Sequence, residues 1–310
     1  MILFPPEHWK NVRKGLGGRI PNYQPPEELV SDLGDDNGLT QDKINHQRIM
    51  DAFAVLREKL HAWKPDAVIL IGDDQAENFK RENLPTFCMY TGSQVDGYPF
   101  HAASDDNNVW KIQPETKFSY NCPDKFATDL VKFVIRDGFD MSSSTELAGW
   151  EWGLPHAHIN PLMYLDQDGE LPILPLFVNC LGEEAGDGYP PRPTAKRCHE
   201  LGQSIRRFLD TRSERVAVIA SSSWSHFFLT EKFDRCAFDS EFDHRNLELV
   251  RSGQGSKLAE LTPEELQSSG DHEFLNWMIT LGVVGDRPAE ILDALDAQSQ
   301  ISFKVFAVWE

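Results

Sequence analysis

The sequence has little cysteine, and its cysteines are not spaced as metal-binding or disulfide-forming pairs. There are 5 in 310 residues, an odd number; no Cys-x-x-Cys occurs, and no Cys/His pair has a spacing that suggests a zinc site. Small secreted folds and zinc modules depend on such pairs, so the sequence argues against both classes. This cysteine usage predicts a reducing cytoplasm. The five are Cys88, Cys122, Cys180, Cys198 and Cys236.

Positive charge is also scarce. Lys and Arg number 30 against 49 Asp and Glu, which gives a formal net charge of −19. An acidic surface repels phosphate backbones and anionic lipids, so we expect neither nucleic acid nor a membrane as partner. No apolar run has the length that spans a bilayer. The first residues also lack the basic start and the apolar core of a signal peptide.

Motifs for nucleotides and for serine hydrolases are missing too. The sequence contains no G-x-G-x-x-G, no P-loop and no G-x-S-x-G. It contains instead an alternation of apolar strand-like runs and amphipathic helical segments. That alternation predicts a single-domain α/β fold with a central mixed sheet flanked by helices. We expect the active site in the loops at the carboxyl ends of the strands.

The first 39 residues combine proline, glycine and charge without a sustained period. They predict an irregular arm with at most one short helical turn, followed by one domain over residues 40–310. Helices are predicted over 40–63, 124–136, 194–209, 239–251, from 262, over 271–281 and over 288–295. Strands are predicted over 67–71, 86–91, 171–180 (near an edge or bulged, because of its prolines), 216–220 and 301–309.

Residues 216–228 are the stretch that most strongly suggests a site. An apolar, β-branched strand leads into a run of serines and then into Ser225 and His226. Such a strand predicts burial, and open α/β sheets usually place their chemistry just past its carboxyl end. The same pattern is also compatible with an ordinary loop that carries a structural histidine, since histidine is often half-buried and satisfied.

Other polar groups have the same ambiguity. Residues 73–75 (Asp-Asp-Gln) follow a predicted strand, and could supply a site or simply cap a turn. His156 and His158 alternate, so in an extended segment they would share one face, as a metal pair or by coincidence. Residues 272–273 (His-Glu) could bind a metal or form the acidic first turn of a helix.

Taken in order, these segments resemble one family. Residues 216–226 resemble the strand and Ser-His turn of class III (LigB-type) extradiol ring-cleavage dioxygenases, in particular their catalytic B subunit. Residues 156–162 resemble the family's His-x4-Pro-Leu segment, and residues 270–277 resemble its Gly-x-x-Glu-x-x-x-Trp motif. Residues 71–79 stand where the family has an Asn-Asp-His segment. The resemblance covers roughly residues 40–285.

The resemblance implies an Fe(II) site of two histidines and one glutamate that opens a catechol-type aromatic with O2. Glu273 would be the carboxylate ligand, and Gln75 stands at the position of the second histidine ligand. His226 would be the acid–base residue, with His156 as a further catalytic or substrate-binding residue. The substrate-binding residues in this scheme are Asp74, His158 and Ser225.

The sequence departs from the family pattern at the metal. Residues 5–9 resemble the stretch that follows the family's first histidine ligand, so that histidine and its strand have no counterpart here. The amide oxygen of Gln75 is a neutral, weak ligand. The alternative is therefore a non-catalytic binding or partner subunit of the same fold that has lost the metal. A hydrolase or amidase using zinc is a third reading. A homodimer and a complex with a small partner subunit are both compatible with such a fold.

Overall fold

A computed structural model describes residues 3–20, 23–101, 108–148, 153–182 and 189–310. The chain divides into two compact units. The first unit comprises Met1–Leu56, Ser223–Phe274 and Asp286–Glu310, and the second comprises Arg57–Ser222 and Leu275–Gly285. The predicted boundary after residue 39 therefore lies inside the first unit.

The described elements are α-helices and β-strands, numbered here in chain order. The α-helices are α1 (Pro6–Gly17), α2 (Glu27–Leu33), α3 (Leu39–Trp63), α4 (Asp124–Arg136), α5 (His156–Leu165), α6 (Ala195–Leu209), α7 (Ser240–Arg251), α8 (Pro263–Ser269) and α9 (Phe274–Val284). The strands are β1 (Ala67–Asp73), β2 (Phe87–Tyr90), β3 (Gln94–Gly97), β4 (Phe118–Asn121), β5 (Ser142–Ser144), β6 (Ile173–Val178), β7 (Val216–Ala220), β8 (Glu290–Leu295) and β9 (Lys304–Val308).

The second unit is built on a five-stranded sheet in the order β5-β2-β6-β1-β7. Strand β1 runs parallel to β6 and to β7, whereas β2 is antiparallel to β6, so the sheet is mixed as predicted. Helix α5 packs on β1 and helix α4 on β2. All seven residues of β1 are buried, as the continuous apolar run predicts for a strand covered on both faces.

Two strand predictions in this unit need correction. Strand β6 is an interior strand, although Pro175 in its middle predicted an edge. Strand β2 pairs only with residues 176–178, so Pro175 lies past the end of that ladder and its missing N–H interrupts no bond there. Strand β7 was predicted to be buried, but it is an edge strand of the sheet and its residues are half-buried.

The first unit corrects the prediction of an irregular N-terminal arm. Helix α1 starts with a proline at its first position, where the missing N–H costs nothing. Its buried residues are Trp9, Arg13 and Gly17, four apart, so they share one face of the helix. The Arg13 guanidinium donates two hydrogen bonds of 2.8 Å to the buried Asp42 carboxylate on α3. Periodic burial and this ion pair hold the segment as helix.

The C-terminal part of the first unit holds a second correction. Residues 288–295 were predicted as helix, but they contain strand β8, which pairs antiparallel with β9. The apolar residues of this short segment fit either period, and the pairing with β9 decides between them. The predicted start at Thr262 is confirmed, because Thr262 and Glu265 form a reciprocal capping box at α8.

Candidate active-site residues

His226 and Glu273 meet in the first unit, although 47 positions separate them in the sequence (273 − 226). Their Nε2 and Oε1 atoms are 3.6 Å apart. Both residues are nearly buried, with 8% and 9% of their surface exposed. A histidine and a carboxylate this close, shielded from water, interact strongly whenever the histidine is protonated.

The loop that carries Glu273 is held against the loop that carries His226. The backbone N–H of His226 donates to the Gly270 carbonyl (3.2 Å), and the N–H of Ser223 donates to Glu273 Oε2 (3.0 Å). Gly270 has φ +67°, and a Cβ there would lie 2.6 Å from the backbone nitrogen of Thr230. Only glycine permits this left-handed turn together with so close an approach.

The other side of the His226 segment pairs with the chain just before β9. His226 and Ser302 form an isolated antiparallel bridge. The N–H of Phe227 donates to the Ile301 carbonyl (3.0 Å), and the N–H of Phe303 donates to the Ser225 carbonyl (3.2 Å). Backbone hydrogen bonds on both sides therefore hold the backbone at His226 in place.

Ser225 is fully buried, and its polar atoms are engaged inside the protein. Its hydroxyl donates to Asp243 Oδ2 and accepts from the N–H of Asp239 (3.1 Å). Burial raises the pKa of Asp243 well above its usual range, although the hydrogen bonds from Ser225 oppose the shift. These contacts tie the segment before His226 to the start of α7, and a role of Ser225 in substrate binding stays a prediction.

In the second unit, His156 is paired with Glu77, a residue that the sequence did not single out. The His156 ring nitrogen Nδ1 is hydrogen-bonded to Glu77 Oε1, and the His156 backbone N–H donates to Glu77 Oε2 (2.8 Å). Burial alone would raise the pKa of Glu77, but the hydrogen bonds and the charge of His156 outweigh it and hold that pKa below its usual value.

His158 does not share a face with His156, because the segment is helical rather than extended. Two residues apart on a helix, the side chains point in nearly opposite directions. The His156 side chain is 42% exposed, whereas His158 is wholly buried, with its ring 4.8 Å from that of Phe177. Burial lowers the pKa of His158 to about 4, so the ring is neutral and donates through Nε2 to the Leu176 carbonyl (3.3 Å).

Asp74 and Gln75, which follow β1, differ in their contacts and in their burial. The Asp74 carboxylate accepts hydrogen bonds from the backbone N–H groups of Asn78 (3.0 Å) and Phe79 (2.9 Å), which makes it the cap of this turn. Burial raises its pKa to about 6 despite these bonds. Gln75 is exposed. The reading of residues 73–74 as a turn cap therefore holds for Asp74, and metal binding by Gln75 stays a prediction.

The described residues do not form the Fe(II) site that the resemblance implies. Within them, no group of three or more His, Cys, Asp or Glu side chains is arranged to hold a metal. A non-heme iron centre of this type uses two histidines and one carboxylate. His226 and Glu273 supply one of each, so the described donors do not fit that set.

Lys304 is a second buried residue that the sequence analysis did not single out. Its Nζ atom is buried and lies within hydrogen-bond distance of the Gln300 carbonyl (2.8 Å), the Ser302 carbonyl (3.2 Å) and the Ser302 hydroxyl (2.9 Å). Burial lowers its pKa to about 7, and the charge of Glu273 partly opposes that shift. No sequence signal marks Lys304, which stands in an alternating strand, or Glu77, which reads as a surface charge.

The chain is similar to curated proteins that are named as dioxygenases. Two curated relatives are both named 2,3-dihydroxyphenylpropionate/2,3-dihydroxicinnamic acid 1,2-dioxygenase. The Photorhabdus laumondii protein is 28% identical over 185 residues, which cover 59% of this chain and 50% of that protein. The Mycobacterium protein is 27% identical over 204 residues, which cover 65% and 51%. The chain thus spans about half the length of these relatives.

A solved structure shows the same fold. The crystal structure of an uncharacterized protein from Escherichia coli K12 matches with a TM-score of 0.50 and 14% identity, covering 84% of this chain and 92% of that one. In the part of the chain that the structure describes, no helix has the length and apolar character needed to cross a membrane. The family model described as the catalytic LigB subunit of aromatic ring-opening dioxygenase matches residues 33–306, and the chain therefore belongs to the LigB family.

Proposed function

We propose that this protein is an extradiol dioxygenase that opens a catechol-type ring with O2, with His226 as the acid–base residue. The observation that supports this most directly is the close approach of His226 and Glu273, 3.6 Å apart in a nearly buried setting. In a chain of the LigB family, this is the pair that the resemblance marked as acid–base residue and carboxylate.

His226 is suited to moving the protons of this reaction. A neutral imidazole accepts a proton from a catechol hydroxyl, and the imidazolium so formed returns it later. The Glu273 carboxylate, 3.6 Å from Nε2, stabilises that imidazolium by charge. The described donors do not complete an iron site. Iron as cofactor and Glu273 as its ligand remain proposals taken from the family.

A catechol that carries an acidic side chain is the substrate class to test first. The two curated relatives are named for 2,3-dihydroxyphenylpropionate and the corresponding cinnamic acid. We extend that class to this chain as a proposal, with the cytoplasm as location and either a homodimer or a small partner subunit as assembly.

The test is O2 uptake and ring-fission absorbance with a catechol panel, after anaerobic loading with Fe(II). We expect one O2 consumed per ring opened, and a loss of about 10²- to 10⁴-fold in kcat for His226→Gln. His244→Gln is the matched control, since its side chain is 52% exposed. Absence of stoichiometric iron together with absence of product from every catechol would contradict the proposal.

A non-catalytic subunit of the same family is the second candidate. Gln75 is exposed, and no metal-binding group is formed among the described residues, which favours a chain that has lost its metal. This candidate predicts that the native chain binds no Fe(II) in a calorimetric titration and that Gln75→His increases metal affinity. Iron bound tightly by the unmodified chain would argue against it.

A further inference from the structure

A buried lysine amine holds the turn that comes just before strand β9. Lys304 is 9% exposed. Its Nζ atom donates to the Gln300 carbonyl (2.8 Å), to the Ser302 carbonyl (3.2 Å) and to the Ser302 hydroxyl (2.9 Å). Lysine is rarely buried unless its amine is paired, and these contacts supply the pairing. The acceptors stand on both sides of Ile301, so the amine joins the two ends of one turn.

Ile301, between these acceptors, has a strained backbone. Its φ of +60° and ψ of −9° place it in the left-handed region. A β-branched residue seldom adopts this conformation, because its side chain crowds the following carbonyl. Such strain costs free energy and persists only where surrounding contacts hold it. The hydrogen bonds from Lys304 to the residues on either side are contacts of this kind.

Arg13 holds the beginning of the same turn. Residues 298–300 form a short 3-10 helix, and the Arg13 guanidinium donates to the Ser299 carbonyl at 3.2 Å. The same guanidinium is fixed by its ion pair with the buried Asp42 carboxylate. Two basic side chains, one from helix α1 and one from strand β9, therefore hold the backbone of this turn.

The turn pairs with the segment that carries His226. The Ile301 carbonyl accepts the N–H of Phe227 (3.0 Å), and Ser302 forms an antiparallel bridge with His226. Successive side chains of an extended segment point to opposite sides. A change of this pairing by one residue would therefore turn the His226 ring to the other side of the segment. The conformation at Ile301 decides which carbonyl Phe227 meets.

From these contacts we propose that Lys304 is a positioning residue for His226. Its amine holds the strained turn at Ile301, and the turn fixes the register of the backbone that carries the His226 ring. All of these residues belong to the first unit. The inference rests on the proposed function only where it assigns a catalytic role to His226, since the contacts themselves do not depend on any substrate.

Four variants separate the hydrogen bonds of the amine from other effects. Lys304→Met and Lys304→Gln introduce unbranched side chains of equal length, and only glutamine keeps an N–H donor. Ile301→Gly removes the strain, because glycine adopts the left-handed conformation freely. Lys257→Met is the matched control, since it removes an exposed lysine of the same unit.

Amide hydrogen exchange of the full chain, followed by NMR, is the direct test. In Lys304→Met the N–H of Phe227 should exchange about tenfold faster relative to the N–H of Leu247 in α7, the equivalent of one lost hydrogen bond. Lys304→Gln should retain part of this protection, and Lys257→Met should leave it unchanged. Equal acceleration at Phe227 and Leu247 would show only a general loss of stability, and it overturns the inference.

Kinetics with the iron-loaded protein provide the second measurement. Lys304→Met should lower kcat by about 10²-fold, as expected when a catalytic group is displaced, and should change KM less. In an Ile301→Gly background the same substitution should lower kcat by a smaller factor, because no strain remains for the amine to hold. Full additivity of the two changes overturns the inference.

The inference can be tested even if a variant or the proposed activity fails. If Lys304→Met does not fold, the double variant with Ile301→Gly should fold, and its failure to do so contradicts the inference. If no catechol is opened by any of these proteins, the exchange rate of the Phe227 N–H still decides the role of Lys304. The proposed function and the role of Lys304 therefore fail separately.

Discussion

Ser225 and Asp243 are hydrogen-bonded through both the hydroxyl and the backbone N–H of Ser225, and both residues are fully buried. Ser225 immediately precedes His226, whereas Asp243 lies in the first turn of α7. The position of the candidate acid–base residue therefore depends on a contact to a helix that carries none of the predicted site residues.

Ser225→Ala should lower the free energy of unfolding by about 1–3 kcal/mol, because it leaves the N–H of Asp239 and the Asp243 carboxyl buried without this partner. Urea unfolding followed by circular dichroism measures the change. Ser252→Ala removes a hydroxyl whose hydrogen bonds are exposed and should cost less than about 0.5 kcal/mol. Equal losses in the free energy of unfolding for the two variants would show that the buried contact stabilises the protein no more than an exposed one.

Gly270→Ala should destabilise the protein by more than about 1 kcal/mol, since it combines a left-handed φ with a Cβ 2.6 Å from the Thr230 nitrogen. Gly285→Ala is the control, because that residue has φ +68° with nothing within 4 Å of the added Cβ. The difference in Tm between the two variants isolates the cost of the close approach. We expect Gly270→Ala to be the less stable, and a reversed order would contradict this account.

Stability should rise with pH above neutrality through Lys304. Burial lowers the folded-state pKa to about 7, and in the unfolded chain the amine titrates near 10.4. Between those values the unfolded state binds more protons, so raising the pH favours the folded state, by up to about 1.4 kcal/mol per pH unit. Urea unfolding between about pH 7.5 and 9.5 tests this window.

The control for Lys304 is a variant without the amine. Lys304→Met keeps an unbranched side chain, one atom shorter, and removes the titrating group, so its stability should rise less steeply with pH than that of the unmodified protein. The Lys304 amine donates to the Gln300 carbonyl, the Ser302 carbonyl and the Ser302 hydroxyl, so methionine removes these three contacts together with the charge. Identical pH slopes for the two proteins would refute the assignment.

His158→Ala should affect stability rather than substrate affinity. The imidazole fills space between Gly72 and Phe177 and is wholly buried, so its removal leaves a cavity and costs about 2–4 kcal/mol. Thermal unfolding measures this loss, and His244→Ala, at a half-exposed position, should cost far less. A change in KM for a catechol without any loss of stability would instead support the sequence prediction that His158 binds substrate.

Part of the fold follows from local sequence. Helix α4 begins and ends at the predicted residues, because apolar side chains at helical spacing leave no other way to bury one face. The capping box at Thr262 is equally local, since both partners lie within one turn. The order of the family motifs can also be read from the sequence alone, and it predicts His226 and Glu273 as site residues without any knowledge of their contact.

Tertiary structure decided the rest. Strand β8 was predicted as helix, because a short apolar segment takes its period from its partner, here β9. His156 and His158 were assigned to one face by assuming an extended chain, and the helix turned them apart. Glu77 contacts His156, 79 positions away, only because the fold brings the two residues together. The pKa of Lys304 is low only because the fold buries its amine. The sequence alone determined which residue types were available and in what order, whereas packing determined which of them meet.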